Sequence, residues 1–285
     1  MPVLNLQESN RDQSGKKNNG IRGKLLILII FVIKSITMKK ICTGLAGILI
    51  LYSISLYSQK IIVPGSDKCY VYLTFDDGPL NGSENINDII LREKIKISVF
   101  MVGEHVIKDK QMDTYAKYYD QNPYIDEYNH SFSHANDHYE AFYSNVDKSV
   151  KDVLYNQTLL KLPYRIVRLP GRNIWRLGGR SKNDVTSGIQ TADQLAALGY
   201  KVVGWDIEWQ HRPSDGSPVQ TVGEMYTSVQ KLCASDRTFT RNNVVMLIHD
   251  EMFQKDWEKS ELKQLIDLLR SNPAYIFEQM RFYPQ

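Results

Sequence analysis

Three things are scarce in this sequence, and each scarcity narrows what the protein can be. Cysteine comes first, with three in 285 residues, too few for a dense disulfide framework. Cys42 lies inside an apolar segment. Cys69 and Cys233 share no spacing motif, so they read either as one disulfide in an oxidising compartment or as two small buried side chains. Long apolar runs are the second scarcity. "LLILIIFVI" at 25–33 and the stretch of about fifteen residues after Met38 both fall short of the roughly 20 residues that span a bilayer. The third is basic charge in the body of the chain. The first 59 residues hold eight Lys/Arg and two Asp/Glu, so the overall +3 becomes −3 over the remainder, with 27 basic residues against 30 acidic. No basic patch there suggests a nucleic-acid partner.

The N-terminus reads as targeting sequence. Met38 begins "MKKICTGLAGILILYSISLYSQK", which has a charged start, an apolar middle and a small, polar exit, the layout of a secretory signal peptide. We therefore expect 1–37 to be an upstream segment outside the mature protein, 38–59 to be a signal peptide or N-terminal membrane anchor, and 60–285 to be the folded domain that carries the function. Any membrane contact would run through that segment alone. The expected location is the periplasm, the cell envelope or the outside of the cell, and the expected state is a monomer.

From residue 69 onward, short β-type runs alternate with longer helical stretches. Strand candidates are 69–75, 97–102, 124–128, 164–169, 201–207 and 243–249. Helical patterns occupy 84–94, 104–120, 138–161, 190–198, 219–233 and 256–271. That alternation predicts βα units around a parallel sheet or barrel, in one domain. There is no linker, repeat or low-complexity tract after residue 60. The least regular stretch, 171–189, reads as a surface loop.

Parallel α/β folds collect their chemistry at the carboxyl ends of strands. Asp76-Asp77 in "VYLTFDDGPL", "NHSFSH" at 129–134, Arg168, the Asp206/Glu208 pair and His249 all fall at such ends. His130 and His134 are four apart, which on a helical turn would put both rings on one face. Two imidazoles and a carboxylate make an open site of the kind that holds zinc. One of the adjacent aspartates can serve as that carboxylate while its neighbour, facing the other way, stays free as a base.

In order and spacing, "TFDDGP" (74–79), "HSFSH" (130–134), "RLP" (168–170), "WDIEW" (205–209) and "LIH" (247–249) resemble the five motifs of the polysaccharide deacetylases, the NodB homology domain of carbohydrate esterase family four. The resemblance implies a distorted (β/α) barrel of seven to eight parallel strands. It also implies a divalent metal, most often Zn2+ with Co2+ or Ni2+ as alternatives, held by Asp77, His130 and His134. Asp76 would be the general base, Arg168 its orienting partner and His249 the general acid. Asp206 or Glu208 would pair with His249, Glu208 being favoured by its spacing from Trp205. The reaction implied is hydrolysis of an N-acetyl, or less often O-acetyl, group on peptidoglycan, chitin oligomers or an exopolysaccharide. A backbone N–H near Gly78 or Leu80 would help to hold the oxyanion.

Two motifs depart from the family pattern. Where the family has an aromatic residue after Arg-x-Pro, this chain has Gly171 and then Arg172, which would open the groove and add positive charge, or else leave Trp175 to supply the aromatic wall. The fourth motif carries Glu208 in place of an aspartate. Asp250 reads as a solvated strand-end acid, and His105, His138 and His211 as structural or surface residues. Two other functions fit the same motifs: a carbohydrate-binding protein that has lost turnover, and an amidase acting on a non-sugar amide.

Overall fold

The computed structural model describes residues 68–254 and 257–285. The segments expected at 1–37 and 38–59 lie outside those residues. Among the described residues, no helix is long and apolar enough to cross a membrane.

In chain order the strands are β1 (Cys69–Gly78), β2 (Ile97–Met101), β3 (Ile125–Asn129), β4 (Ile166–Val167), β5 (Trp175–Leu177), β6 (Arg180–Lys182), β7 (Lys201–Val202), β8 (Ile207–Glu208), β9 (Asn243–His249) and β10 (Tyr275–Phe277). The helices are α1 (Ser83–Glu93), α2 (Gly103–Lys108), α3 (Lys110–Gln121), α4 (Tyr139–Ser144), α5 (Val146–Leu159), α6 (Ile189–Ala197), α7 (Val222–Cys233) and α8 (Glu261–Arg270). The sheet runs β6-β5-β7-β4-β3-β2-β1-β9-β8, with β10 beside the start of β1. Every pairing is parallel except those that β5 makes with β6 and β7. The expected distorted α/β barrel is therefore present as a curled half-barrel sheet, parallel apart from the pairings of β5.

Alternation along β1 decides what faces where. Val71, Leu73 and Phe75 join Val99, Met246 and Ile248 in the cluster that also takes in α1, α7 and α8. Tyr70 and Tyr72 join Phe100, Tyr128, Trp175 and Val245 in a second cluster on the other face. With side chains alternating faces, 70, 72, 74 and 76 share the second face, so Asp76 sits at the end of an otherwise tyrosine- and threonine-filled row. In α8 the apolar residues Leu262, Leu265, Ile266 and Leu269 recur at helical spacing and are buried, each worth about 1.5–3 kcal/mol on leaving water.

Three expectations change in detail. The helix expected over 104–120 is two, because Asp109 ends α2 and its carboxylate caps α3 by accepting from Gln111 N and Met112 N. The helix expected over 138–161 also breaks, at Asn145, whose side chain caps α5. The stretch 171–189 is not merely a loop. It contains the β5–β6 hairpin, turned by Gly178 and Gly179 at φ 58° and 74°, backbone angles that glycine reaches without strain. The cysteine question is resolved as well: Cys69 and Cys233 form a disulfide joining the start of β1 to the end of α7.

Candidate metal centre and substrate pocket

The carboxyl ends of β1, β3 and β9 meet around a cavity of about 230 Å³ whose lining includes Asp76, Asp77, His130, His134 and His249. The donor atoms of Asp77, His130 and His134 all lie within 4.8 Å of one another.

Backbone turns bring them together. Asp77 has φ 69° and Ser131 φ 67°. Non-glycine residues held there cost of order 1–3 kcal/mol each and persist only where their surroundings enforce the geometry. At Asp77 one such support is His105, whose Nδ1 lies 3.0 Å from the Asp77 carbonyl. The helical turn expected over 130–134 does not exist. β3 ends at Asn129, Ser131 swings the chain, and His134 opens a left-handed turn in which residues 134–137 all have positive φ. The two rings still converge, with centroids 5.3 Å apart.

Hydrogen bonding shows what the three donors are arranged for. His130 Nδ1 lies 2.9 Å from the Arg168 carbonyl, and His134 Nδ1 lies 3.0 Å from Asp137 Oδ1. A carbonyl or a carboxylate only accepts, so both Nδ1 atoms carry the proton and, in the neutral ring, both Nε2 atoms present a lone pair. Those Nε2 atoms lie 3.2 and 2.9 Å from Asp77 Oδ1, a buried oxygen that no hydrogen bond satisfies. Three electron-pair donors facing one another call for a cation between them, and two imidazoles with one carboxylate suit zinc or a similar divalent ion. The residues therefore fit the metal that the resemblance implies. When no cation is bound, a proton takes its place. Burial would push His134 down, but the Asp77 carboxylate, with Asp137 behind it, holds the ring up at about 9. Burial alone would raise Asp77, and the two imidazoles hold it well below the usual carboxylate range.

Asp76 is clamped from behind. Fully buried Arg168 donates from Nη1 to Asp76 Oδ1 at 2.7 Å and to Thr74 Oγ1 at 2.8 Å, and from Nη2 to the Gly204 carbonyl at 2.9 Å. Its guanidinium also lies 4.3 Å over the Phe100 ring. Asp76 Oδ2 is left 3.6 Å from His130 Nε2, on the side of the cation site. His249 is the register partner of Asp76 on the neighbouring strand, so the two side chains share a face.

Behind the turn stands Asp250, which is fully buried rather than solvated as its position had suggested. It accepts from Leu80 N at 2.9 Å, from Tyr119 Oη at 2.6 Å and from Ser83 Oγ. Burial pushes its carboxyl up to about 6 against these hydrogen bonds. Leu80 N–H also meets Ser83 Oγ at 2.9 Å, so it is already engaged and poorly placed to hold an oxyanion.

The two candidate acids separate. Asp206 lies deeper than Glu208, opposite Val245, and accepts from Val245 N at 2.9 Å and Phe239 N at 2.7 Å. Glu208 lines the cavity beside His249. His249 Nδ1 is buried with no hydrogen-bond partner, so neither acid bonds it here. The sequence had also missed its neighbour: His211 places its ring 4.5 Å from the His249 ring and its Nε2 3.3 Å from Glu251. Spacing could not reveal that contact.

The aromatic expectations also shift. Trp175 is wholly buried and stacks on Phe239 with centroids 4.3 Å apart, so it does not wall a groove. Trp205 and Tyr139 do line the cavity. Arg172 adds no open charge, because it is buried and bonded to Glu140 and Ser187.

The family model described as polysaccharide deacetylase matches residues 64–176, the stretch that carries the candidate metal ligands and Arg168. Over that stretch the chain is similar to the polysaccharide deacetylases. A CE4 esterase from Streptococcus mutans is 22% identical, with a TM-score of 0.56 over 74% of this chain and 86% of that one. The catalytic domain of a peptidoglycan N-acetylglucosamine deacetylase from Eubacterium rectale is 21% identical, with a TM-score of 0.55 over 79% and 93%. A CE4 family pseudoenzyme from Bacillus anthracis is 14% identical, with a TM-score of 0.52 over 75% and 64%. At these identities the likeness is one of fold. No curated protein sequence matches the chain. The deacetylase match ends before β8 and β9, so the places of Glu208 and His249 rest on the geometry above.

Proposed function

We propose that this polysaccharide deacetylase domain is a metal-dependent hydrolase that removes N-acetyl groups from an exported or surface glycan. One observation carries the reading: Asp77 and the two outward-turned Nε2 atoms converge on one point, with Asp76 Oδ2 beside it. A divalent ion held by Asp77, His130 and His134 would polarise the acetyl carbonyl and make water a nucleophile at neutral pH. Asp76 takes the water's proton at Oδ2, while Arg168 on Oδ1 fixes the carboxylate's direction. His249, across the cavity on β9, gives a proton to the departing sugar nitrogen, and Glu208 faces it from β8. Export is supported by the signal-like layout of 38–59 and by the Cys69–Cys233 disulfide, a bond that persists in oxidising compartments.

The protein loaded with Zn2+, Co2+ or Ni2+ should release acetate from an acetylated chitooligosaccharide, and Asp76→Asn should lower the rate by about 100- to 10,000-fold, the span of general acid–base catalysis. Metal-loaded protein that binds such glycans and releases acetate from none of them would be a carbohydrate-binding module instead. Release from small non-sugar amides alone would make it an amidase.

A further inference from the structure

We propose that Tyr139 is the specificity-determining wall of the pocket, the ring against which the sugar carrying the reacting acetyl group packs; this rests on the deacetylase reading. Gly171 has φ +62°, and a Cβ built there would lie 3.1 Å from Cε1 and Cζ of Tyr139 and 3.2 Å from Cδ1. The tyrosine ring therefore fills the space into which a side chain at 171 would project. A side chain there would press on the ring and would also be strained by the positive φ.

The ring is held as well as admitted. It stands at 90° to the His134 imidazole, with centroids 5.8 Å apart. The Arg172 guanidinium lies 5.4 Å from its centroid, itself anchored by Glu140 at 2.9 Å and by Ser187 Oγ. Tyr139 remains half-buried and lines the same cavity as the cation ligands. A fixed aromatic surface beside a hydrolytic centre suits the apolar C–H face of a pyranose, because an aromatic ring supplies contact area at little entropic cost. Trp205, the other aromatic on this cavity, comes from the β7–β8 connection, so two aromatics reach the cavity from separate segments of the chain.

Binding can be read apart from turnover by working in the Asp76→Asn background with Zn2+ bound and titrating an acetylated chitooligosaccharide. Adding Tyr139→Ala should weaken Kd about tenfold, the size of one good aromatic contact, and Tyr139→Phe should restore it. In the otherwise wild-type chain, Tyr139→Ala should raise KM for the oligosaccharide by a similar factor with a much smaller change in kcat, and zinc stoichiometry should stay at that of wild type. Gly171→Ala, which forces the ring to move, should shift KM in the same direction. An unchanged Kd in Tyr139→Ala would overturn the proposal. So would a loss of zinc, or a fall confined to kcat, either of which would make Tyr139 a prop for His134 alone. An equal loss in Tyr139→Phe would assign the effect to the hydroxyl and overturn the ring's role. If the parent protein neither binds nor deacetylates the oligosaccharide, the deacetylase reading fails and this proposal falls with it.

Discussion

On the side of the pocket built by β1 and β3, the imidazoles of His130 and His134 each have Nδ1 tied to an acceptor, and Asp76 is clamped by a buried guanidinium. On the side built by β8 and β9, His249 Nδ1 is buried without a partner, and its nearest ring neighbour is a second histidine. The first side has its lone pairs aimed in advance, as ligands to a cation need to be. The second keeps an imidazole nitrogen whose hydrogen bonding is not yet committed, and hydrogen bonds at such sites often tighten only once substrate arrives. Within one cavity, then, the β1–β3 side is fixed by hydrogen bonds and the β8–β9 side is left open.

The comparison breaks most readily at Arg168. Its removal leaves the Asp76 carboxylate buried and uncompensated, and Arg168→Met should cost about 3–5 kcal/mol of stability, read from the denaturant midpoint. A near-wild-type midpoint would mean that the clamp on the ligand side is loose after all.

Asp250 sharpens the comparison from behind, because it grips the turn that follows Asp77. Its folded value of about 6 lies above the ordinary 3.8, so as pH rises the unfolded chain ionises first and ionising the folded one costs stability. Wild type should therefore lose stability relative to Asp250→Asn between about pH 4 and pH 6, by about 3 kcal/mol in all, with a constant gap above that range. Parallel pH profiles for the two proteins would show that the carboxyl titrates normally.

The smallest effects should separate the two acids of the open side. Asp206→Asn breaks a carboxylate that holds two backbone N–H groups, at a cost of about 1–3 kcal/mol in stability. Glu208→Gln, at the rim, should change stability by no more than about 0.5 kcal/mol while lowering the rate of acetate release. The reverse pattern would exchange their roles.

How much of this was legible beforehand follows the same division. Asp76 with Asp77, and His130 with His134, could be read because each pair is local in the chain and falls at a strand end, and the alternation of strands and helices announced the α/β fold. The left-handed turn after His134 could not be read, since nothing in "SHAND" forces four consecutive positive φ angles. Tyr139 meets Gly171, and His211 meets His249, only through the packing of separate elements. Trp175 looked available because it follows the Arg-x-Pro motif closely, and its burial against Phe239 involves a residue more than sixty positions away. Asp250 followed the pattern of an exposed strand end until α1 and α3 brought Ser83 and Tyr119 onto it.

The central claim is that Asp77, His130 and His134 form one cation site with their lone pairs already aimed. Calorimetric titration of metal-free protein with Zn2+ tests it directly. The account predicts one ion per chain, binding lost in Asp77→Asn and in His130→Ala, and binding retained in His211→Ala. Zinc uptake indifferent to His130→Ala, or no uptake by the wild-type chain, would contradict it.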